Sequence, residues 1–368
     1  MPELSSSAIA ADKSRFEIWD SSVPFPLYDV MPDLDIVTHV TVEKAKPGGY
    51  RYLHEPSIAW HCGQLHAVWA NHRELEVNET DELIRGRVSF DGGFSWQPPR
   101  IIASRSAGGS DAYNHPVISS VNGTLWGFFT RWDSGKPSTE IFTFEESACT
   151  WITTRVTIPT LVPFRPPMKM ADGNWIISGE AHWHDAAIAI SHGDDFTKWD
   201  LVVIPKPDGL KVAYPETTLV QRGNQLVAFC RPPQPSAALV SASDDFGRTW
   251  TPLSYSNFPI SDGEPYCGLL STGQQYVITN SVENERQLMS IAVTSPGGRL
   301  FERIWKVRHQ NYPVRRFGGG GGDAGIGNVT EWSYPAAVEH EGNLYICYTH
   351  GKEDCCLSII PISVLAAG

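Results

Sequence analysis

Charged residues are scarce in this chain. They make up 19% of its 368 residues, against roughly a quarter in an ordinary soluble domain. Cations are the scarcer sign, 29 Lys and Arg against 41 Asp and Glu, for a net charge of −12. No run of basic residues occurs, so a phosphate backbone or an anionic lipid surface would be repelled, and neither nucleic acid nor membrane is expected as a partner. No apolar run approaches the ~18 residues that a membrane-crossing helix needs. The opening MPELSSSAIAADKSR lacks the basic start and apolar stretch of a secretion leader, so the expectation is a soluble, cytoplasmic chain with residues 1–15 as a flexible terminus.

Chemical signatures are equally sparse. There are seven Cys, an odd number, and no CxxC pair. Cys62, Cys230, Cys267 and Cys347 lie in apolar strand-like runs and are expected as buried free thiols. Cys355 and Cys356 are neighbours that a strand would point to opposite faces. His182 and His184 share a strand face but lack further ligands in sequence, so a surface or channel role is expected. The Gly318 to Gly322 run has no following Lys-Ser/Thr and reads as a flap or spacer, not a phosphate loop. A G-x-S-x-G nucleophile elbow is missing. No cofactor and no metal site is expected.

What the chain has is hydrophobic residues (41%), 32 Gly, 27 Pro and 40 aromatics, which predict a large core built from many short strands and turns. The strands repeat. Six copies of a strand, Gly turn, strand pattern occur as IAWHCGQLHAVW, VISSVNGTLWGFF, MKMADGNWIISG, TLVQRGNQLVAFC, GLLSTGQQYVITN and AAVEHEGNLYICY. Their turn glycines are Gly63, Gly123, Gly173, Gly223, Gly273 and Gly342, a period near 50 residues. A Pro precedes each glycine by seven or eight residues (Pro56, Pro116, Pro166, Pro215, Pro265, Pro335), where a missing N–H at a strand entry costs little.

A second repeat runs in phase. SFDGGFSW (Ser89 to Trp96) and SDDFGRTW (Ser243 to Trp250) both fit S-x-D-x-G-x-[ST]-W, and weaker copies end at Trp151, Trp199 and Phe301. Asp accepting backbone N–H groups, Gly in a turn and Trp packed between sheets make this a structural staple. These turns resemble the Asp-boxes of sialidase-like β-propellers, from about residue 45 to the C-terminus. The resemblance implies an all-β chain, a six-bladed β-propeller of four-stranded antiparallel blades. Residues 16–368 would form a single domain whose N-terminal segment, Phe16 to Val42, supplies a strand to the last blade.

In such a fold the residues before each repeat Pro gather at one mouth: His54 and Glu55, Asn114 and His115, Arg165, Tyr214 with Glu216, Glu264 with Tyr266, and Tyr334. Against the sialidase catalytic set, TNSVENERQLMSIAVTSPGG resembles the family's SNP…R…S-x-D-x-G segment and implies Arg286 as a carboxylate-binding arginine, with Arg231 as another. For the third, GGYRYLHEPSIAW offers Arg51, with His54 in the expected place and Arg165 able to compensate. WSYPAAVEHEGNLYICY resembles the last-blade Tyr segment, implying Tyr334 as nucleophile with Glu216, or else Tyr214, as its blade-four partner. Asp81 is the implied acid/base, with Glu76, Glu79 and Glu82 as rivals. A phenol suits a substrate whose own carboxylate would repel a carboxylate nucleophile, and guanidinium forks suit that carboxylate. The implied activity is an exo-acting retaining hydrolase of a terminal acidic sugar. A uronate-directed lyase or glycosidase using His54 and His115, and a sugar-binding propeller without catalysis, are the alternatives.

Overall fold

The computed structural model describes residues 5–74, 81–106, 109–182, 184–280, 282, 285–309, 315–317 and 331–366. Glu76, Glu79 and Gly318 to Gly322 lie outside the described residues. The fold class is the expected one: all-β, a six-bladed propeller of four-stranded antiparallel blades, one of which carries an additional short strand.

The chain divides into two compact units. The first, residues 38–167 and 312–359, holds three blades. Blade one is Tyr52–His61, Gln64–His72, Leu83–Ser89 and Arg100–Ala103; blade two is Ala112–Val121, Thr124–Asp133, Lys136–Glu145 and Thr150–Pro159. Blade six is Trp332–His340, Asn343–His350 and Asp354–Pro361, with Thr38–Lys44 as its outer strand. That strand pairs antiparallel with Asp354–Pro361, from Thr38 opposite Ile359 to Lys44 opposite Asp354.

The second unit, residues 1–37, 168–311 and 360–368, also holds three blades. Blade three is Met168–Lys169, Trp175–Ala181, Asp185–His192 and Asp195–Val203; blade four is Thr218–Arg222, Gln225–Cys230, Ser236–Ser243 and Ser254–Ile260. Blade five is Tyr266–Leu269, Gln275–Asn280, Met289–Thr294 and Phe301–Arg308. Here the N-terminal segment does something that sequence reading did not anticipate. Phe16, Trp19 and Asp33 make isolated bridges to Ser256, Phe301 and Lys306. Trp19 and Phe25 are buried with Phe229, Phe258 and Phe301 in one aromatic core. Ser6–Ala10, inside the stretch expected to be a flexible terminus, forms a helical turn with Ile9 and Ala10 buried.

Burial explains the sequence pattern. The second strands, Gln64–His72, Gln225–Cys230 and Asn343–His350, are covered on both faces, hence the unbroken LHAVWA, LVAFC and LYICY runs. Outer strands such as Thr150–Pro159 are largely exposed and polar. Of the cysteines expected to be buried, Cys230, Cys267 and Cys347 are, whereas Cys62 is exposed. It sits in the blade-one hairpin turn at φ +47° and not within the strand.

The two strong Asp-boxes are built alike. Asp91 accepts from Ser95 N at 2.8 Å, Ser95 Oγ at 2.6 Å and Ser89 Oγ at 2.8 Å. Asp245 repeats this with Thr249 and Ser243. The hydrogen bonds, Ser95 hydroxyl first, pull the Asp91 carboxyl down to about 2. Trp96 and Trp250 each donate Nε1–H to the box glycine carbonyl. Those glycines are required twice over. Gly93 and Gly247 have φ of +93° and +82°, and a Cβ on them would lie 2.6 Å from Leu357 Cδ2 of blade six and 2.8 Å from Ile176 Cδ1 of blade three.

The hairpin glycine Gly123, at φ +77°, has nothing within 4 Å of its added Cβ. Gly123→Ala should therefore cost only the left-handed backbone strain, about 1 kcal/mol. Gly247→Ala adds overpacking, for about 2–4 kcal/mol in all. Urea denaturation midpoints measure both; equal losses would show that the box glycine is not a packing contact.

Candidate functional site

The first strands of blades one, two and six are interrupted at the same place. Their ladders shift register between His54 and Ser57, Asn114 and Pro116, and Ser333 and Ala336. Within each bulge the residue before the Pro is left-handed: Glu55 at φ +54°, His115 at +40° and Tyr334 at +56°. In blade four Tyr214 and Glu216 flank Pro215 at +48° and +42°. Glutamate, histidine and tyrosine have no intrinsic liking for this region, and a pre-proline position is normally extended. Each such residue costs on the order of 1–3 kcal/mol and persists only where surrounding structure dictates it, as at functional sites. A bulge also re-aims its side chain.

In the first unit these bulges assemble a cluster. The His54 and Tyr334 rings lie 4.0 Å apart between centroids, tilted by 51°. His54 is fully buried, with Nδ1 3.1 Å from Thr349 Oγ1. Glu55, also buried, accepts from the His115 backbone N at 2.7 Å and lies 3.1 Å from its Nε2. Burial, then the nearby Lys352 ammonium, push the His115 imidazole down to about 3. The Glu55 carboxylate acts in the opposite sense, but desolvation of a cation is the larger effect, so the ring is neutral at pH 7. Its Nε2–H then faces Glu55, and Nδ1 is a buried acceptor with no hydrogen-bond partner among the described residues. Asn114 is held by Trp132 Nε1 at 2.7 Å and reaches Glu82 at 3.3 Å. Arg165 is buried and donates to the Phe164 carbonyl, while the Phe164 ring packs edge-on against His115 at 4.9 Å.

The other residues expected in this unit stand apart. Arg51 is exposed just ahead of the first strand. Asp81 is 62% exposed at its side chain and paired with Arg105 at 2.9 Å, whereas its rival Glu82 is fully buried. Sequence reading missed Lys352 and Glu353, both buried in the turn before the third strand of blade six. Glu353 accepts from the backbone N of Arg316 and Phe317. HGKED carries no motif, and only the blade register could have pointed to it.

The second unit carries a cluster of its own. Arg231, expected to meet a substrate carboxylate, donates to Glu216 at 2.7 Å and lies 5.7 Å from the Tyr214 ring. The His184 ring meets Tyr214 edge-on at 4.9 Å. Glu180, on the second strand of blade three, was missed by sequence reading, which took GEAHWHD for its histidines. It is 3% exposed, and burial, then the Glu216 charge, push its carboxyl well above the usual carboxylate range despite Arg231. Its Oε2 has no hydrogen-bond partner among the described residues. One guanidinium thus serves two buried carboxyls. Elsewhere in the unit Arg286 donates to the Asp262 carbonyl at 3.1 Å, and Glu264 and Tyr266 are buried.

Comparisons with known proteins agree with this architecture. Residues 63–346 match the BNR repeat-like domain family. No curated protein matches. Among solved structures, a protein of unknown function from Dyadobacter fermentans superposes with a TM-score of 0.65 at 14% identity, covering 88% of this chain and 99% of that one. The Hadza microbial sialidase Hz136 gives 0.65 at 15%, covering 94% and 72%. Trypanosoma rangeli sialidase in complex with the inhibitor DANA gives 0.63 at 12%, covering 90% of this chain and 61% of that one. This chain therefore spans about three fifths of that sialidase's length, and at such identities the likeness is one of fold.

Two outcomes are expected. The His115 pKa is depressed from 6.5 to about 3 on folding, so its contribution to stability is full above pH 6.5 and is lost as pH falls toward 3, by up to about 1.4 kcal/mol per pH unit. His115→Gln should flatten the pH dependence of the urea midpoint over that window; an unchanged slope would mean that the imidazole titrates normally. Arg231→Ala strands Glu216 and Glu180 and should cost about 3–5 kcal/mol. Wild-type stability in that variant would show that the guanidinium compensates neither carboxyl.

Proposed function

The chain belongs to the BNR repeat-like domain family, and from that premise we propose that it is a glycoside hydrolase acting on a terminal acidic sugar in the manner of a sialidase. The observation that carries the reading is Tyr334: a phenol in a bulged first strand, held left-handed before Pro335 and seated on the buried His54 ring. Such a side chain is fixed in direction before substrate arrives, as a nucleophile needs. In this reading the Tyr334 oxygen bonds to the anomeric carbon as the glycosidic C–O bond breaks. The leaving oxygen takes a proton from an acid, and water then displaces the tyrosine with retention. Arg165, buried in the same unit as Tyr334, is a proposed carboxylate ligand. Arg231 is proposed to hold the Glu216 carboxyl in place through their 2.7 Å contact. Asp81 is the proposed acid, since it is exposed enough to meet a leaving group, and its carboxyl lies 2.9 Å from Arg105.

A second reading is favoured by His115. The imidazole is unprotonated at pH 7, its buried Nδ1 has no hydrogen-bond partner among the described residues and its Nε2 faces Glu55, so it can accept a proton once substrate changes its surroundings. Proton abstraction beside a uronate carboxylate would use it. Lyase action leaves an unsaturated uronate that absorbs in the ultraviolet, whereas hydrolysis does not.

The deciding experiment incubates the protein with sialosides and with uronate oligosaccharides, following free acidic sugar and ultraviolet absorbance together. Tyr334→Phe should retain the fold and lose roughly 100-fold or more of sialic acid release. A fluorinated acidic-sugar inactivator should label Tyr334. An active Tyr334→Phe enzyme alongside a dead His115→Gln variant would overturn the hydrolase reading in favour of the second.

A further inference from the structure

The weak Asp-box copy of blade two is placed differently from the strong ones. Aligned on its closing Trp151, FEESACTW puts Glu146 where the boxes of blades one and four have Asp91 and Asp245. Those aspartates are consumed by their own turns. Glu146 is not. Its neighbour Glu145 takes the turn's Ser147 N–H and hydroxyl, at 3.2 and 2.8 Å. The Glu146 carboxylate instead reaches across to blade one, where Oε1 contacts His61 Nε2.

His61 ends the first strand of blade one and its side chain is 2% exposed. Its Nδ1 is 2.9 Å from Ser120 Oγ, a partner that can take the Nδ1 proton and leave the Nε2 lone pair outward. Cys62, in the adjoining turn at φ +47°, places Sγ 3.4 Å from that same Nε2. The three donor atoms lie within 4.8 Å of one another. Zinc–nitrogen and zinc–sulfur bonds of about 2.1 and 2.3 Å put tetrahedral ligands about 3.6 Å apart. The Sγ–Nε2 separation is close to that edge, and an exposed Glu146 can move outward to complete it.

We propose that His61, Cys62 and Glu146 form a binding site for a zinc-class divalent cation. Imidazole, thiolate and carboxylate together suit a borderline ion and not calcium or magnesium. Three protein ligands leave a fourth position for water. The site is separate from the His54 cluster: the two histidines are seven residues apart on one strand, about 23 Å. It joins the hairpin of blade one to the outer turn of blade two, at a point where the ordinary box has lost its aspartate. Binding ionises the Cys62 thiol, whose proton is released to solvent.

The test uses the reduced, full-length protein and cobalt(II) as the probe. One equivalent should bind with a thiolate-to-cobalt charge-transfer absorption that zinc abolishes by displacement, and the melting temperature should rise with bound metal. Cys62→Ser should lose that absorption. Glu146→Gln and Ser120→Ala should each bind cobalt roughly 10-fold more weakly or worse. Cys149→Ser, which alters the other exposed thiol, should bind as wild type. Cys62 and Glu146 are exposed turn residues, so unchanged circular dichroism is expected and is checked for each variant. The proposal is overturned if the wild type shows no charge-transfer band. It is equally overturned if the band survives in Cys62→Ser, or if Glu146→Gln and Cys62→Ser both bind cobalt with unchanged affinity.

Discussion

The constraint on which the rest depends is a left-handed backbone at a pre-proline residue, imposed on the first strands of blades one, two and six. Neither proline nor the side chains Glu55, His115 and Tyr334 favour it. It is maintained because each bulged strand is hydrogen-bonded along its remaining length to a second strand buried on both faces. A rigid ladder on one side of the bulge leaves the mouth residue no lower-energy alternative. The aliphatic runs of the inner strands are therefore as much a part of the site as the residues that point from it.

Within that frame burial acts on different titratable groups in the two units. In the first, burial keeps the His115 imidazole neutral although Glu55 is 3.1 Å from it, and His54 is enclosed by Tyr52, Tyr334 and Thr349. In the second, Arg231 is set against Glu216 and against a Glu180 whose carboxyl burial pushes upward. A phenol or imidazole is most useful where water is excluded, and a guanidinium keeps its charge at almost any depth. The residue types in each cluster follow from that difference.

Repetition also permits divergence. Where an Asp-box keeps its Asp, Gly and Trp, the turn satisfies itself and its glycine lets the next blade approach, as Gly93 does with Leu357. Where the pattern decays, as in FEESACTW, an acidic side chain is released from the turn and becomes available to a neighbouring blade. A weak copy of a structural motif is thus a place to look for chemistry, since the fold can tolerate losing one staple of several.

The sequence by itself determined the architecture: six hairpins near a 50-residue period, in-phase boxes and apolar inner strands admit few arrangements, because strand periodicity and turn glycines are local properties. It also indicated which residues precede each repeat Pro, and so most of the two clusters. Tertiary structure decided what those residues do to one another. That Arg231 meets Glu216, that Glu55 holds His115, that Phe16 and Trp19 lie against blades four and five, and that Glu180 and Lys352 belong to the clusters all depend on strand register and burial between segments up to hundreds of residues apart. Desolvation, which pushes the His115 imidazole down and the Glu180 carboxyl up, is a property of what surrounds a residue in space, and no local pattern in the chain encodes it.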